Sequence, residues 1–235
     1  MFGIWNIEKA PSVAFYALHA LQHRGQQGAG IVSTERTRLR GYRNVGLLAD
    51  VFKDNGKLEK IDGSAALGAL WYSSGNSTNV QNIEPLLYKF NDGHLGIAMN
   101  GNLNNAKWLR AELEDEGAVF HSESHAEIIM HLIRRSRKET IEERFKEALN
   151  KLKGSFSVML LTQDALYGAV DRHATRPLVL GKLGDSYTIA SESCALNVIG
   201  ADFLKDISAG EIIKIDDEGY EIGSFTEASN IAIES

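Results

Sequence analysis

The sequence predicts an α+β protein in which stacked β-sheets are covered by helices. Some segments carry apolar residues at helical spacing, and many others are short, almost continuously apolar and bounded by turn residues. Strands of the second kind are typical of sheets buried on both faces. The chain has 235 residues, 43% of them hydrophobic, which is enough for one substantial core. Sheets packed on each other beneath helices would accommodate both kinds of segment.

Four segments have the helical period. The first follows Pro11, which is suited to the first turn of a helix. The third has Ile128, Ile129, Leu132 and Ile133 on one face, and the fourth should end near the glycine at position 154. The four predicted helices cover residues 12–23, 105–116, 124–135 and 140–152.

Nine segments are expected to form strands because they are apolar, short and separated by turn residues. Their alternation with the helices along the chain does not by itself fix a topology. The predicted strands cover residues 2–5, 28–33, 65–72, 95–99, 156–162, 166–171, 178–183, 186–191 and 211–215.

Composition excludes several classes of function. The chain carries 25 basic and 31 acidic residues, a net charge of −6, so we expect no nucleic-acid partner. No apolar run approaches the roughly 18 residues of a membrane span, and no signal peptide is visible, so we expect no membrane association. The single cysteine, Cys194, fits a reducing cytoplasm. We expect no metal and no cofactor.

Five blocks, in order along the chain, resemble the class II glutamine amidotransferases. The match is best to the glutaminase half of the amidophosphoribosyltransferases of purine biosynthesis, and it extends from Phe2 to about Gly219. The blocks are Gln-His-Arg-Gly at 22–25, Asn-Gly-Asn-Leu at 100–103, Lys-Gly-Ser-Phe at 153–156, Arg-Pro-Leu at 176–178 and Ala-Ser-Glu-Ser-Cys-Ala at 190–195.

This resemblance implies the four-layer α-β-β-α sandwich of the N-terminal nucleophile (Ntn) hydrolases, formed by a single domain over residues 1–235. The phosphoribosyltransferase half of those enzymes is absent from the sequence. We therefore expect either a homo-oligomer or a phosphoribosyltransferase-type partner subunit.

The family's catalytic nucleophile is an N-terminal cysteine, which alignment on Phe2-Gly3-Ile4 would place two positions before Met1. The thioether of Met1 cannot replace a thiolate. Cys194 is internal, and an unpaired cysteine is usually buried and inert. No catalytic residue is therefore expected within this sequence.

The resemblance also identifies substrate-pocket positions, and several are altered. Asn100 and Gly101 match the oxyanion donors, although an Asn-Gly pair also favours a plain turn. Trp71 stands where the family has the arginine that binds the substrate carboxylate, although a core aromatic would fit there equally well. His125 stands where the family has the aspartate that binds the substrate ammonium, and neither form of histidine replaces a carboxylate there.

The remaining pocket positions are partly retained. Arg24 and Gly25 match the segment that shapes the pocket, or they serve only the turn from helix to strand. Ser74 keeps a hydroxyl where the family has threonine. Met99 replaces a histidine, and Ala174 replaces a glycine in the loop before Arg176.

These substitutions predict a glutaminase-like pseudoenzyme that acts by binding a partner subunit or a different ligand. Two alternatives remain open. One is an active glutaminase subunit of a split amidophosphoribosyltransferase, with its cysteine upstream of this sequence. The other is a hydrolase that uses a rewired pair such as His125 and Ser74.

Overall fold

Two antiparallel sheets, packed face to face, form the centre of the molecule. The computed structural model describes residues 1–72, 79–90 and 93–226. The strands in this part are β1 (Phe2–Trp5), β2 (Gly28–Thr34), β3 (Leu39–Val45), β4 (Ala65–Trp71), β5 (Leu86–Phe90), β6 (Gly93–Leu103), β7 (Gly154–Leu161), β8 (Leu166–Val170), β9 (Val179–Leu183), β10 (Ser186–Ala190), β11 (Asp202–Asp206), β12 (Glu211–Asp216) and β13 (Gly219–Ser224). One sheet has the order β11-β9-β10-β1-β4-β2-β3 and the other β13-β12-β8-β7-β6-β5.

Helices cover the outer faces of both sheets. They are α1 (Ala10–Ala20), α2 (Leu48–Val51), α3 (Asn55–Lys60), α4 (Ala106–Asp115), α5 (His125–Arg135), α6 (Ile141–Lys151) and α7 (Ser193–Ile199). Apolar residues of α1, α2 and α7 share a core cluster with the first sheet, and those of α4, α5 and α6 share one with the second. A third cluster fills the space between the sheets. The predicted four-layer α-β-β-α sandwich is therefore confirmed.

The four predicted helices are present, and each end lies within three residues of the predicted one. The first begins at the Ala10-Pro11 pair and gives way to a short 3₁₀ helix, Gln22–Arg24. Thr140 caps α6 in a reciprocal capping box with Glu143. The fourth predicted helix does not end at a glycine cap, because Gly154 instead starts β7 at a φ of 145°.

None of the helices among the described residues combines the length and the apolar character that crossing a bilayer would require.

The loop before Arg176 keeps a left-handed backbone although its glycine is gone. Ala174 has a φ of 51°, a conformation that costs a residue with a Cβ roughly 1–2 kcal/mol. We expect Ala174→Gly to raise the free energy of unfolding by about 0.5–1 kcal/mol, as measured by urea denaturation. The matched change Ala111→Gly, at an exposed position inside α4, should instead lower it by about 1 kcal/mol. Equal losses from both changes would contradict this assignment of strain.

Candidate active site of glutaminase type

An open cavity of about 560 Å³ lies where the end of β4, the last part of β6 and the start of α5 meet. It brings together most of the positions identified from the sequence. Arg24, Trp71, Asn100, Gly101 and His125 all contribute to its wall, together with Met99 and Arg176. Ser74 lies outside the described residues, so its pairing with His125 stays a prediction.

Asn100 and Gly101 do not form a turn, because both lie inside the long strand β6. Gly101 has a φ of 121° and packs so closely on the Ser155 backbone that a Cβ there would clash. The amide nitrogen of Asn100 is buried without a hydrogen-bond partner among the described residues, and so is the hydroxyl of Ser157. Asn100 and Ser157 are opposite each other on β6 and β7, so their side chains share one face of the sheet. A buried donor without a partner is costly, so an acceptor supplied by a bound ligand or by water would stabilise Asn100 here.

Trp71 ends β4 in the cavity wall, where the family's carboxylate-binding arginine is expected. It is partly buried and lies outside the apolar core clusters, so the core-aromatic interpretation is wrong. The cavity beside it remains open, and Trp71 lines the space without closing it. Tyr72 follows it and is largely exposed. An indole has one N–H donor and no charge, so this end of the cavity lacks a bidentate anchor for a carboxylate.

Gly25 lets the segment after α1 approach the end of β4 closely. A Cβ at Gly25 would meet the backbone nitrogen and oxygen of Trp71 at 3.0 Å. The glycine therefore positions the end of β4 and does not itself line the cavity. This contact supports the architectural interpretation of the Gln-His-Arg-Gly block.

His125 is the first residue of α5 and follows the capping residue Ser124. The backbone N–H of Leu103 donates to its Nδ1 at 3.3 Å, and burial lowers the pKa of the imidazole. The ring is therefore neutral, and its proton resides on Nε2 because Nδ1 is an acceptor. A group that presents an N–H donor cannot receive a substrate ammonium.

Glu84 is a pocket residue that the sequence did not reveal. Its carboxyl accepts hydrogen bonds from the Met99 backbone N–H at 2.6 Å and from the Ser124 hydroxyl at 2.5 Å. Burial raises its pKa to about 7, although both of these hydrogen bonds act in the opposite direction. Glu84 thus links β6 to the start of α5 through two hydrogen bonds. With this pKa its carboxyl is only partly ionised near pH 7.

Arg24 is held at the cavity by an ion pair, with its Nη1 2.5 Å from Glu192 Oε1. His23 contacts the same carboxylate at 3.1 Å. Burial would raise the pKa of Glu192, but the hydrogen bonds from Arg24 and His23 outweigh burial and lower it. The guanidinium of Arg24 is therefore already neutralised by a protein partner.

Cys194 is less buried than the sequence predicted. It is partly buried at the start of α7, with its Sγ 3.5 Å from Glu192 Oε2. Burial raises the pKa of this thiol, and the Glu192 carboxylate raises it further. Cys194 does not line the cavity, so it offers no nucleophile there.

The described residues contain no cluster of three or more His, Cys, Asp or Glu side chains suited to a metal ion.

The sequence profile of the glutamine amidotransferase domain matches residues 77–198 of the chain, which is more than half of it. The chain belongs to the glutamine amidotransferase family. It is also 50% identical to an amidophosphoribosyltransferase of Staphylococcus aureus over 99% of its own length and 47% of that protein. It thus spans about half the length of the curated relatives it matches. It is a glutaminase-type domain related to amidophosphoribosyltransferase.

Solved structures agree with this assignment. A glutamine phosphoribosylpyrophosphate (PRPP) amidotransferase from Bacillus subtilis, complexed with ADP and GMP, superposes with a TM-score of 0.91 and 42% identity, over 96% of this chain and 49% of that one. A class-II glutamine amidotransferase domain protein from Silicibacter pomeroyi, at 13% identity and a TM-score of 0.62, shares the fold alone.

Proposed function

We propose that this domain no longer hydrolyses glutamine and acts by binding, either to a partner subunit or to another small ligand. The main support for this proposal is the composition of the cavity wall. The oxyanion positions Asn100 and Gly101 are retained, but the two positions that would bind the carboxylate and the ammonium of glutamine are both changed. Trp71 presents no guanidinium at the end of β4, and His125 presents a neutral ring at the start of α5. Each lost charge-assisted hydrogen bond removes about 1.5–3 kcal/mol of substrate binding.

The partner we propose is a phosphoribosyltransferase, joined to this domain or carried on a separate chain. The S. aureus and B. subtilis relatives are about twice as long as this chain, which matches only one half of each. Residues 1–235 would form the single glutaminase-type domain of such an assembly, in the cytoplasm. The alternative is self-association of the domain, which the molar mass of the protein in solution would reveal.

The native protein, purified from its own cells with intact termini, should release no ammonia from glutamine above background. If a phosphoribosyltransferase accompanies it, free ammonium chloride should support consumption of PRPP, whereas glutamine should not. The ammonium reaction is the control that the assembly is folded and active. Glutamine turnover in the usual enzyme range of roughly 1–10³ s⁻¹ would overturn the proposal.

A second candidate is an active glutaminase whose nucleophilic cysteine lies upstream of Met1. The retained oxyanion positions and the 50% identity to the S. aureus amidophosphoribosyltransferase favour it. An intact-mass measurement that finds an N-terminal cysteine, together with glutamine turnover in the assay above, would establish it.

A further inference from the structure

Several polar groups of the cavity wall are hydrogen-bond donors without a partner in the described part of the chain. His125 offers an N–H at Nε2, which has no partner among the described residues, and the amide nitrogen of Asn100 is likewise without one. His125 is the first residue of α5, an 11-residue helix whose dipole favours negative charge at this end, and Asn100 lines the same cavity.

Arg176 adds a cation that no group among the described residues neutralises. It contributes to the cavity wall, is exposed, and makes no ion pair or hydrogen bond with any residue in the described part of the chain. Arg24, by contrast, is paired with Glu192. The guanidinium of Arg176 is therefore the one in the wall that remains available to an anionic ligand.

The acidic groups of the wall do not offset these donors. Both oxygens of Glu84 already accept hydrogen bonds, from Met99 and Ser124. Glu123 is exposed, as Arg176 is, so solvent weakens the effect of both charges without removing either. Leu70 and Trp71 form an apolar stretch of the wall that could take the body of a ligand.

We propose that the cavity binds a small carboxylate without an α-ammonium group, its carboxylate on the donors of His125, Asn100 and Arg176 and its body along Leu70 and Trp71. This inference rests on the proposed function, because it names the ligand class of the same pocket. A glutamine site prefers a zwitterion, and this cavity should not. An ammonium group at His125 would face a hydrogen-bond donor, so it would lose its hydration without gaining an acceptor.

Three matched probes separate the contributions of the charged groups. Glutaramate has the carboxylate and amide of glutamine without the ammonium, 4-aminobutanamide has the ammonium without the carboxylate, and glutamine has both. Calorimetry on the native protein should show glutaramate binding at least about tenfold more tightly than glutamine, and 4-aminobutanamide weakest. Tightest binding of 4-aminobutanamide, or no binding of any probe, would overturn the proposal.

Variants test the assigned contacts. Arg176→Ala should weaken glutaramate binding by roughly tenfold, whereas Arg172→Ala, which removes an arginine bonded to Asn150 outside this cavity, should leave it unchanged. His125→Asp should reverse the ranking in favour of 4-aminobutanamide, and Glu123→Gln should strengthen glutaramate binding. Equal effects of the two arginine variants, or an unchanged ranking in His125→Asp, would count against the proposal.

The two proposals fail differently. Ammonia release from glutamine would defeat the loss of hydrolysis. A preference for the ammonium probe in a protein that releases no ammonia would defeat only the assignment of a carboxylate ligand.

Discussion

A chain that begins Cys-Gly ahead of Met1 and also carries Trp71→Arg and His125→Asp should release ammonia from glutamine at least about 10²-fold faster than the same chain with Cys-Gly alone. The cysteine supplies the thiolate and the terminal amine that serves as its base. The arginine and the aspartate supply the anchors for the substrate carboxylate and ammonium. The oxyanion donors are already in place at Asn100 and Gly101, on a strand fixed by the close packing of Gly101 against Ser155.

The controls for this restoration separate chemistry from binding. Asn100→Ala in the restored chain should reduce turnover by about 10²–10³-fold, because it removes one oxyanion donor. Trp71→Arg or His125→Asp alone should recover little, since groups that act as a unit are not additive. If the chain with all three changes folds but stays inactive, the backbone around the site must differ from that of an active glutaminase. Met99 and the strained loop at Ala174 would be the first positions to change.

The interior of the fold was predictable from the sequence, and its edges were not. The nine expected strands all form, because apolar runs buried on both faces leave a clear pattern. The sequence did not predict β3, β5, β11 and β13, which are the outermost strands of the two sheets. An edge strand has a solvated side, so its sequence mixes polar and apolar residues, as in the largely exposed β11.

The site was predictable only where a motif fixed the position. The resemblance located Trp71, Asn100 and His125, and the cavity brings all three together. Glu84 carried no such signal, because its role depends on contacts with Met99 and Ser124, which are 15 and 40 residues away. The tautomer of His125 likewise depends on the backbone of Leu103, and no sequence pattern encodes that hydrogen bond.

Glu127→Gln should lower the free energy of unfolding by about 2–4 kcal/mol, although Glu127 is outside the cavity wall. The Glu127 side chain is completely buried at the first turn of α5. Its carboxylate accepts from the His121 backbone at 2.9 Å, from the Ser122 backbone at 2.7 Å and from the Ser122 hydroxyl at 2.5 Å. A glutamine would turn an NH₂ group toward one of these donors, leaving both buried and unpaired. The start of α5, and with it His125, depends on this contact.

The loss in Glu127→Gln should also depend on pH in a defined direction. Burial would raise the pKa of Glu127, but the hydrogen bonds from Ser122 and His121 outweigh it and hold the pKa below its ordinary value of 4.5. A depressed pKa stabilises the folded state at pH values above 4.5, and that contribution is lost as the pH falls through the folded value. Urea denaturation at pH 7 and near pH 4 should therefore show the gap between parent and variant shrinking in acid. The exposed Glu123→Gln should change stability by less than about 0.5 kcal/mol at both pH values. A gap of constant size would show that the charge of Glu127 does not stabilise this turn.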